Sequence, residues 1–179
     1  MNVAATRMIA LLRGVNLGPS RRLAMADLRA LLGELGYDDA RTLLQSGNVV
    51  LTASSGGAAL ERRLEDELAS RLGLDTEVFV RTRAELAKVV ARNPLANVAD
   101  NPSRYQVTFL RRAPTKASLR ELESAELGDE AFAAAGREVY TWHPDGIHAS
   151  PLAKLVGRRI GGTARNWNTV TKLLALAGD

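Results

Sequence analysis

The sequence predicts an α+β protein made of two similar halves. Three observations carry this. Short apolar runs of strand length alternate with leucine stripes at helical spacing along the whole chain. The first half reads strand, helix, strand, strand, helix, strand, and much of that order returns in the second half. A Gly-bearing turn sits between the paired strands of the first half, where a hairpin needs it.

Met8 to Leu12 is a continuous apolar run that stops at Arg13-Gly14, the pattern of a buried strand. Met25, Leu28, Leu31, Leu32 and Leu35 recur at helical spacing, and Gly36 is the stop. Arg41 to Leu44 and Val49 to Thr52 flank Ser46-Gly47-Asn48 and read as a hairpin. Leu60, Leu64, Leu68 and Leu72 form a helical stripe ending at Gly73. Glu77 to Arg81 is a further strand. The order β-α-β-β-α-β is that of a ferredoxin-like lobe, expected over residues 7–82.

The second half opens on the capping box Thr82-Arg83-Ala84-Glu85. Leu86, Val89 and Val90 give that helix its apolar face, and Asn93-Pro94 ends it. Tyr105, Val107 and Phe109 alternate as a strand. A helix is expected around residues 117–123, strands over 130–134 and 138–142, and final helices over 152–156 and 164–177. The reading is a second, incomplete ferredoxin-like lobe over residues 83–179, lacking its last strand and ending in helices. Asn93 to Ser103, with two prolines, has the composition of a linker. The two lobes are expected to pack as one compact unit.

Composition narrows the possible chemistry. At 179 residues the chain can bury roughly 70% of its extended surface without a disulfide or metal staple. It has no cysteine, which removes thiol nucleophiles, zinc-thiolate sites and disulfides. No apolar run approaches the roughly 18 residues of a membrane span. Residues 1–6 carry no apolar leader core. These features predict a cytoplasmic bacterial protein. The net charge of +4 is unevenly spread. Residues 1–26 hold Arg7, Arg13, Arg21 and Arg22 without an acid, and residues 146–178 hold Lys154, Arg158, Arg159, Arg165 and Lys172 without an acid. The remainder is net acidic. Such asymmetry favours a negatively charged partner.

Three polar knots follow from the pattern. Arg13-Gly14-Val15-Asn16-Leu17-Gly18 leaves a strand and precedes a helix, where α/β folds often hold phosphate, but it lacks the P-loop and dinucleotide signatures. Its local reading is a loop whose glycines supply positive φ. Gln45-Ser46-Gly47-Asn48 projects a long amide from a hairpin. Ser46 has no Gly-x-Ser-x-Gly elbow around it and is not read as a nucleophile. Gly161-Gly162-Thr163-Ala164-Arg165-Asn166-Trp167 is expected to open the last helix, with Thr163 as N-cap and Arg165 beside the free N–H groups. Arg165 fits either an anion or a salt bridge within the protein, and Trp167 starts an apolar core stripe. His143 and His148 flank Pro144-Asp145-Gly146, a turn, in a spacing that matches no zinc motif.

The strand running into residues 13–18, the Met25 to Leu35 helix, Gln45-Ser46-Gly47-Asn48-Val49, Asp145-Gly146-Ile147 and Arg165-Asn166-Trp167-Asn168-Thr169-Val170 together resemble the bacterial domain-of-unknown-function family numbered 1697. The resemblance covers nearly the whole chain. It implies two ferredoxin-like lobes and brings no reaction with it. Members tend to have glycine where this chain has His148, which further weakens a metal role for that residue.

The resulting expectation is a small phosphorylated or carboxylate ligand at a three-loop polar site. Its residues would be Arg13, Asn16, Gln45, Ser46, Asn48, Thr163, Arg165 and Asn166, with no metal and no cofactor. Two alternatives stand beside it. One is an enzyme acting on a similar substrate, for which the knots supply no general base. The other is a nucleic-acid-binding protein, which the basic segments favour and the 4% aromatic content opposes.

Overall fold

The computed structural model describes residues 4–178. The chain divides into two units. The first runs up to Lys88 and takes in the segment from Lys172 onward, and the second is Val89–Thr171. The crossing points fall inside helices, so this division differs from 7–82 and 83–179 at both ends of the second lobe.

In the first unit, β1 (Thr6–Leu12), α1 (Met25–Glu34), β2 (Arg41–Leu43), β3 (Asn48–Ala53), α2 (Gly57–Leu72) and β4 (Val78–Thr82) follow one another in the expected β-α-β-β-α-β order. The strands form one antiparallel sheet, ordered β2-β3-β1-β4. Met8, Ala10 and Leu12 lie on the face shared with Val49, Leu51, Val78 and Val80, and this face packs with Leu28, Leu32, Leu60, Leu64 and Leu68 of the helices. Ile9, Leu11, Val50 and Phe79, on the other face, are also buried. Burial on both faces explains why β1 reads as an unbroken apolar run rather than an alternating one.

Gly47 is dictated by its surroundings. Its φ is +76°, and a Cβ there would lie 2.7 Å from Leu12 Cβ and from Val15 Cγ2. The hairpin therefore presses its backbone directly onto the end of β1, and the Leu12 amide donates to Gly47 O at 2.8 Å.

α3 (Arg83–Arg92) begins at the expected capping box. The Glu85 amide donates to Thr82 Oγ1 at 3.0 Å, and the Thr82 amide donates to Glu85 Oε2 at 2.8 Å.

The second unit contains β5 (Tyr105–Phe109), α4 (Lys116–Glu123), β6 (Ala131–Ala135), β7 (Glu138–Trp142), α5 (Pro151–Arg159) and β8 (Thr163–Asn166), followed by the start of α6 (Trp167–Leu176). Its sheet is ordered β6-β7-β5-β8, the counterpart of the first. Both units are ferredoxin-like. The second lobe is complete: the strand the sequence reading lacked is β8, which pairs antiparallel with β5 in the register Phe109↔Thr163 and Val107↔Arg165. Residues 164–166, expected to be helix, are strand. Phe132 lies on the same sheet face as Gln106, Thr108 and Thr141, and Leu122, Leu152 and Val156 of α4 and α5 pack with it. No helix among the described residues is long and apolar enough to cross a membrane.

Candidate functional site

The first two knots interlock in the first unit. Asn16 adopts a left-handed conformation with φ 57°. Its side-chain amide donates to Leu23 O at 2.9 Å and to Gln45 O at 2.6 Å, and its Oδ1 accepts from the Leu23 amide at 2.8 Å. An asparagine tolerates αL and carries both donor and acceptor, so one residue closes the 16–23 loop and ties it to the hairpin. Asn48 is fully buried and donates to Leu43 O and Ser46 Oγ, each at 2.8 Å. Three of the expected ligand-contacting side chains, Asn16, Ser46 and Asn48, thus hold the loops in shape.

The arginines of this region differ in their pairing. Arg7 pairs with Asp39 and Arg13 with Glu77, each at 2.5 Å, and Arg21 donates to Asp75 O. Arg22 is exposed and makes no side-chain bond among the described residues. It lines a groove of about 660 Å³ formed by residues 16–19, 22–24 and Gln45. Gln45 is exposed, as expected of a side chain projecting from the hairpin. No acidic residue lines this groove.

The third knot belongs to the second unit and is built differently from the expectation. Thr163 is not an N-cap. It sits in β8, buried, and accepts from Arg165 Nη1 at 2.8 Å. Arg165 is only 7% exposed and also donates to Ala164 O at 2.9 Å. Burial lowers its guanidinium pKa to about 10. The cap of α6 is Asn166, whose Oδ1 accepts from the Thr169 amide at 2.9 Å. The helix terminus that sequence reasoning reserved for an anion is therefore closed by the chain's own side chain, and it starts two residues after Arg165. Trp167 stacks on Tyr105 with ring centroids 4.7 Å apart, in keeping with the core role read from its spacing.

A polar cluster that the sequence reading missed lies in the second unit. His143, read only as a turn residue, does accept the Gly146 amide through its carbonyl at 2.9 Å. Its ring, however, is fully buried. Nδ1 lies 2.8 Å from Glu130 Oε1 and 2.9 Å from Ser150 Oγ, and Nε2 lies 2.8 Å from Thr141 Oγ1. Ser150 caps α5, accepting from the Ala153 amide at 2.8 Å and donating to Glu130 Oε1. Glu130 Oε2 takes the Leu152 amide at 2.9 Å. Burial pushes the Glu130 carboxyl up, but bonds from Ser150, His143 and the Leu152 amide outweigh this and hold its pKa below the ordinary value. The available signal was Thr141 and His143 two residues apart, on one face of an extended segment, followed by Ser150-Pro151 as a helix start. Among the described residues no group of three or more His, Cys, Asp or Glu is placed to hold a metal ion.

No curated protein matches the chain. The structure is similar over 97% of this chain, and 99% of the other, to that of the conserved bacterial protein SP0830 from Streptococcus pneumoniae, with a TM-score of 0.79 at 22% identity. At that identity the likeness concerns the fold. A family model described as "Protein of unknown function (DUF1697)" matches residues 5–140, which include both interlocked knots and the strands they leave. The match spans well over half of the sequence, and the chain belongs to the DUF1697 family.

Proposed function

We propose that this protein binds a small anion, a phosphorylated or carboxylate compound, in the groove between the 16–24 loop and Gln45. The observation that carries the reading is the contrast among the N-terminal arginines. Arg7, Arg13 and Arg21 are engaged by acceptors of the protein, whereas Arg22 faces a groove with no acid in its lining. Its guanidinium offers a bidentate fork, and Gln45 adds an amide that can donate or accept. The volume is within the usual range of small-molecule sites. The loop is pre-organised by Asn16, so little ordering entropy opposes binding. Arg13, Thr163, Arg165 and Asn166 are not needed for this narrower site.

Thermal-shift titration with inorganic phosphate, sulfate, sugar phosphates and small dicarboxylates tests it. A ligand at 100 times its dissociation constant stabilises by about 2.7 kcal/mol, well within detection. Stabilisation of the native protein that is lost in Arg22→Gln is the expected result. No stabilisation by any of these compounds at millimolar concentration, or equal stabilisation of the variant, rejects the site.

A further inference from the structure

We propose that Thr141 is a nucleophile for acyl transfer from small esters, served by His143 as general base. The groups stand in the order such chemistry requires: carboxylate, imidazole, hydroxyl, with contacts of 2.8 Å on each side of the ring. Nδ1 faces the Glu130 carboxylate, so Nδ1 carries the ring proton. Nε2 then presents its lone pair to Thr141, whose hydroxyl donates to it. Glu130 is itself fixed by the Ser150 hydroxyl and the Leu152 amide, so the imidazole has one orientation.

Thr141 is buried, at 2% exposure, so substrate can reach it only through an internal space. It lines a cavity of about 110 Å³ between the sheet and α5. Gly157 and Ala164, in the same lining, are exposed and mark the side on which the cavity approaches solvent. The room exists because the wall beside Thr141 is built of Ala153, Gly157, Gly161, Gly162 and Ala164. At about 30 Å³ per water, the space admits a group of about three or four heavy atoms, an acetyl rather than a long acyl chain. Gln106, directly opposite Thr141 in the β5–β7 register, lines the same cavity, and its amide is a donor for the oxyanion that forms at the attacked carbonyl.

The step balances without any further reagent. Thr141 Oγ1 bonds to the acyl carbon, and its proton passes to His143 Nε2. The acyl carbon–oxygen bond of the ester breaks, and the departing alkoxide takes the proton from His143. Water, deprotonated by the same nitrogen, then releases the carboxylic acid and restores Thr141. Glu130 does not touch substrate. It is a positioning residue for His143.

The test uses the full chain and p-nitrophenyl acetate. Release of p-nitrophenol should fall by about 100-fold or more in Thr141→Val and in His143→Gln. Acid-quenched native protein should carry one acetyl group, mapped to Thr141. Ala164→Leu, an exposed edge-strand change that narrows the mouth and leaves the three groups intact, should also abolish turnover. The Glu130→Gln variant should show a displaced pH–rate profile. p-Nitrophenyl octanoate should react more slowly than the acetate. The proposal is overturned if native protein is no faster than Thr141→Val, if the acetyl group maps to His148 or a lysine, or if Ala164→Leu keeps full activity. The acetyl mapping on native protein decides the matter even where a substitution prevents folding.

Discussion

The side-chain amide of Asn16 donates to the carbonyl of Gln45 across 2.6 Å, so one residue joins the loop after β1 to the β2–β3 hairpin. Because that residue also holds the Leu23 amide and carbonyl from a left-handed backbone, Asn16→Ala should cost about 2–3 kcal/mol in urea unfolding, from lost bonds and from αL strain. Asn16→Gly relieves the backbone term only and should cost about 1–2 kcal/mol. Equal losses in the two variants would show that the conformation contributes nothing.

Gly161 and Gly162 both have positive φ, yet they should respond differently to alanine. A Cβ on Gly162 would lie 2.4 Å from Phe109 O and 2.5 Å from Leu110 Cδ2, while a Cβ on Gly161 would meet nothing within 4 Å. Gly161→Ala should cost roughly 1–2 kcal/mol of backbone strain. Gly162→Ala should cost about 3 kcal/mol or more, since β8 cannot stay in register with β5. Similar melting temperatures for the two variants would contradict the close approach.

Arg165→Ala should destabilise the protein by about 2 kcal/mol or more, because the guanidinium is buried and bonded to Thr163 and Ala164 O. An exposed arginine would cost under about 0.5 kcal/mol on the same substitution. Denaturant midpoints separate the two values directly. Arg165→Lys should recover only part of the loss, since an ammonium lacks the planar fork.

Acid should weaken the fold through Glu130 and Asp39. For Asp39, burial raises the carboxyl pKa, but the bonds from Thr52 and the charge of Arg7 bring it below the ordinary value. Both groups thus bind protons less readily folded than unfolded. Their stabilisation is present in full above the ordinary values of 4.5 for glutamate and 3.8 for aspartate, and it is lost as pH falls through the lower folded values. Urea unfolding across this range should show stability dropping with pH, with a shallower slope in Glu130→Gln. An unchanged slope in that variant would remove Glu130 from the account.

Elements with local signals are legible in the amino-acid sequence alone. Leucine spacing set α1 and α2, the unbroken run Met8 to Leu12 announced a buried strand, and the Thr82–Glu85 box marked the start of α3, because each depends on residues a few positions apart. Gln45 as a projecting amide was equally legible, since a hairpin end leaves it no neighbour to bury against.

Other features depend on contacts between residues far apart in the chain. Thr163 to Asn166 carry no strand signal and become β8 only because β5 offers an unpaired edge to bond with. Arg165 is buried by that pairing, not by its own character, and the helix start moves to Asn166 as a result. A ligand-contacting role for Asn16 needs a free side chain, yet the carbonyls it satisfies lie 7 and 29 residues away. Glu130, Thr141, His143 and Ser150 span 21 residues and share no motif, and a sheet, a turn and a helix cap bring a polar atom of each within 3 Å of the His143 ring or, for His143, of the other three. Periodicity reports which face a residue occupies. Only the folded chain fixes which distant donor and acceptor meet on it, because the cost of leaving a buried polar group unpaired is settled among elements the sequence does not list side by side.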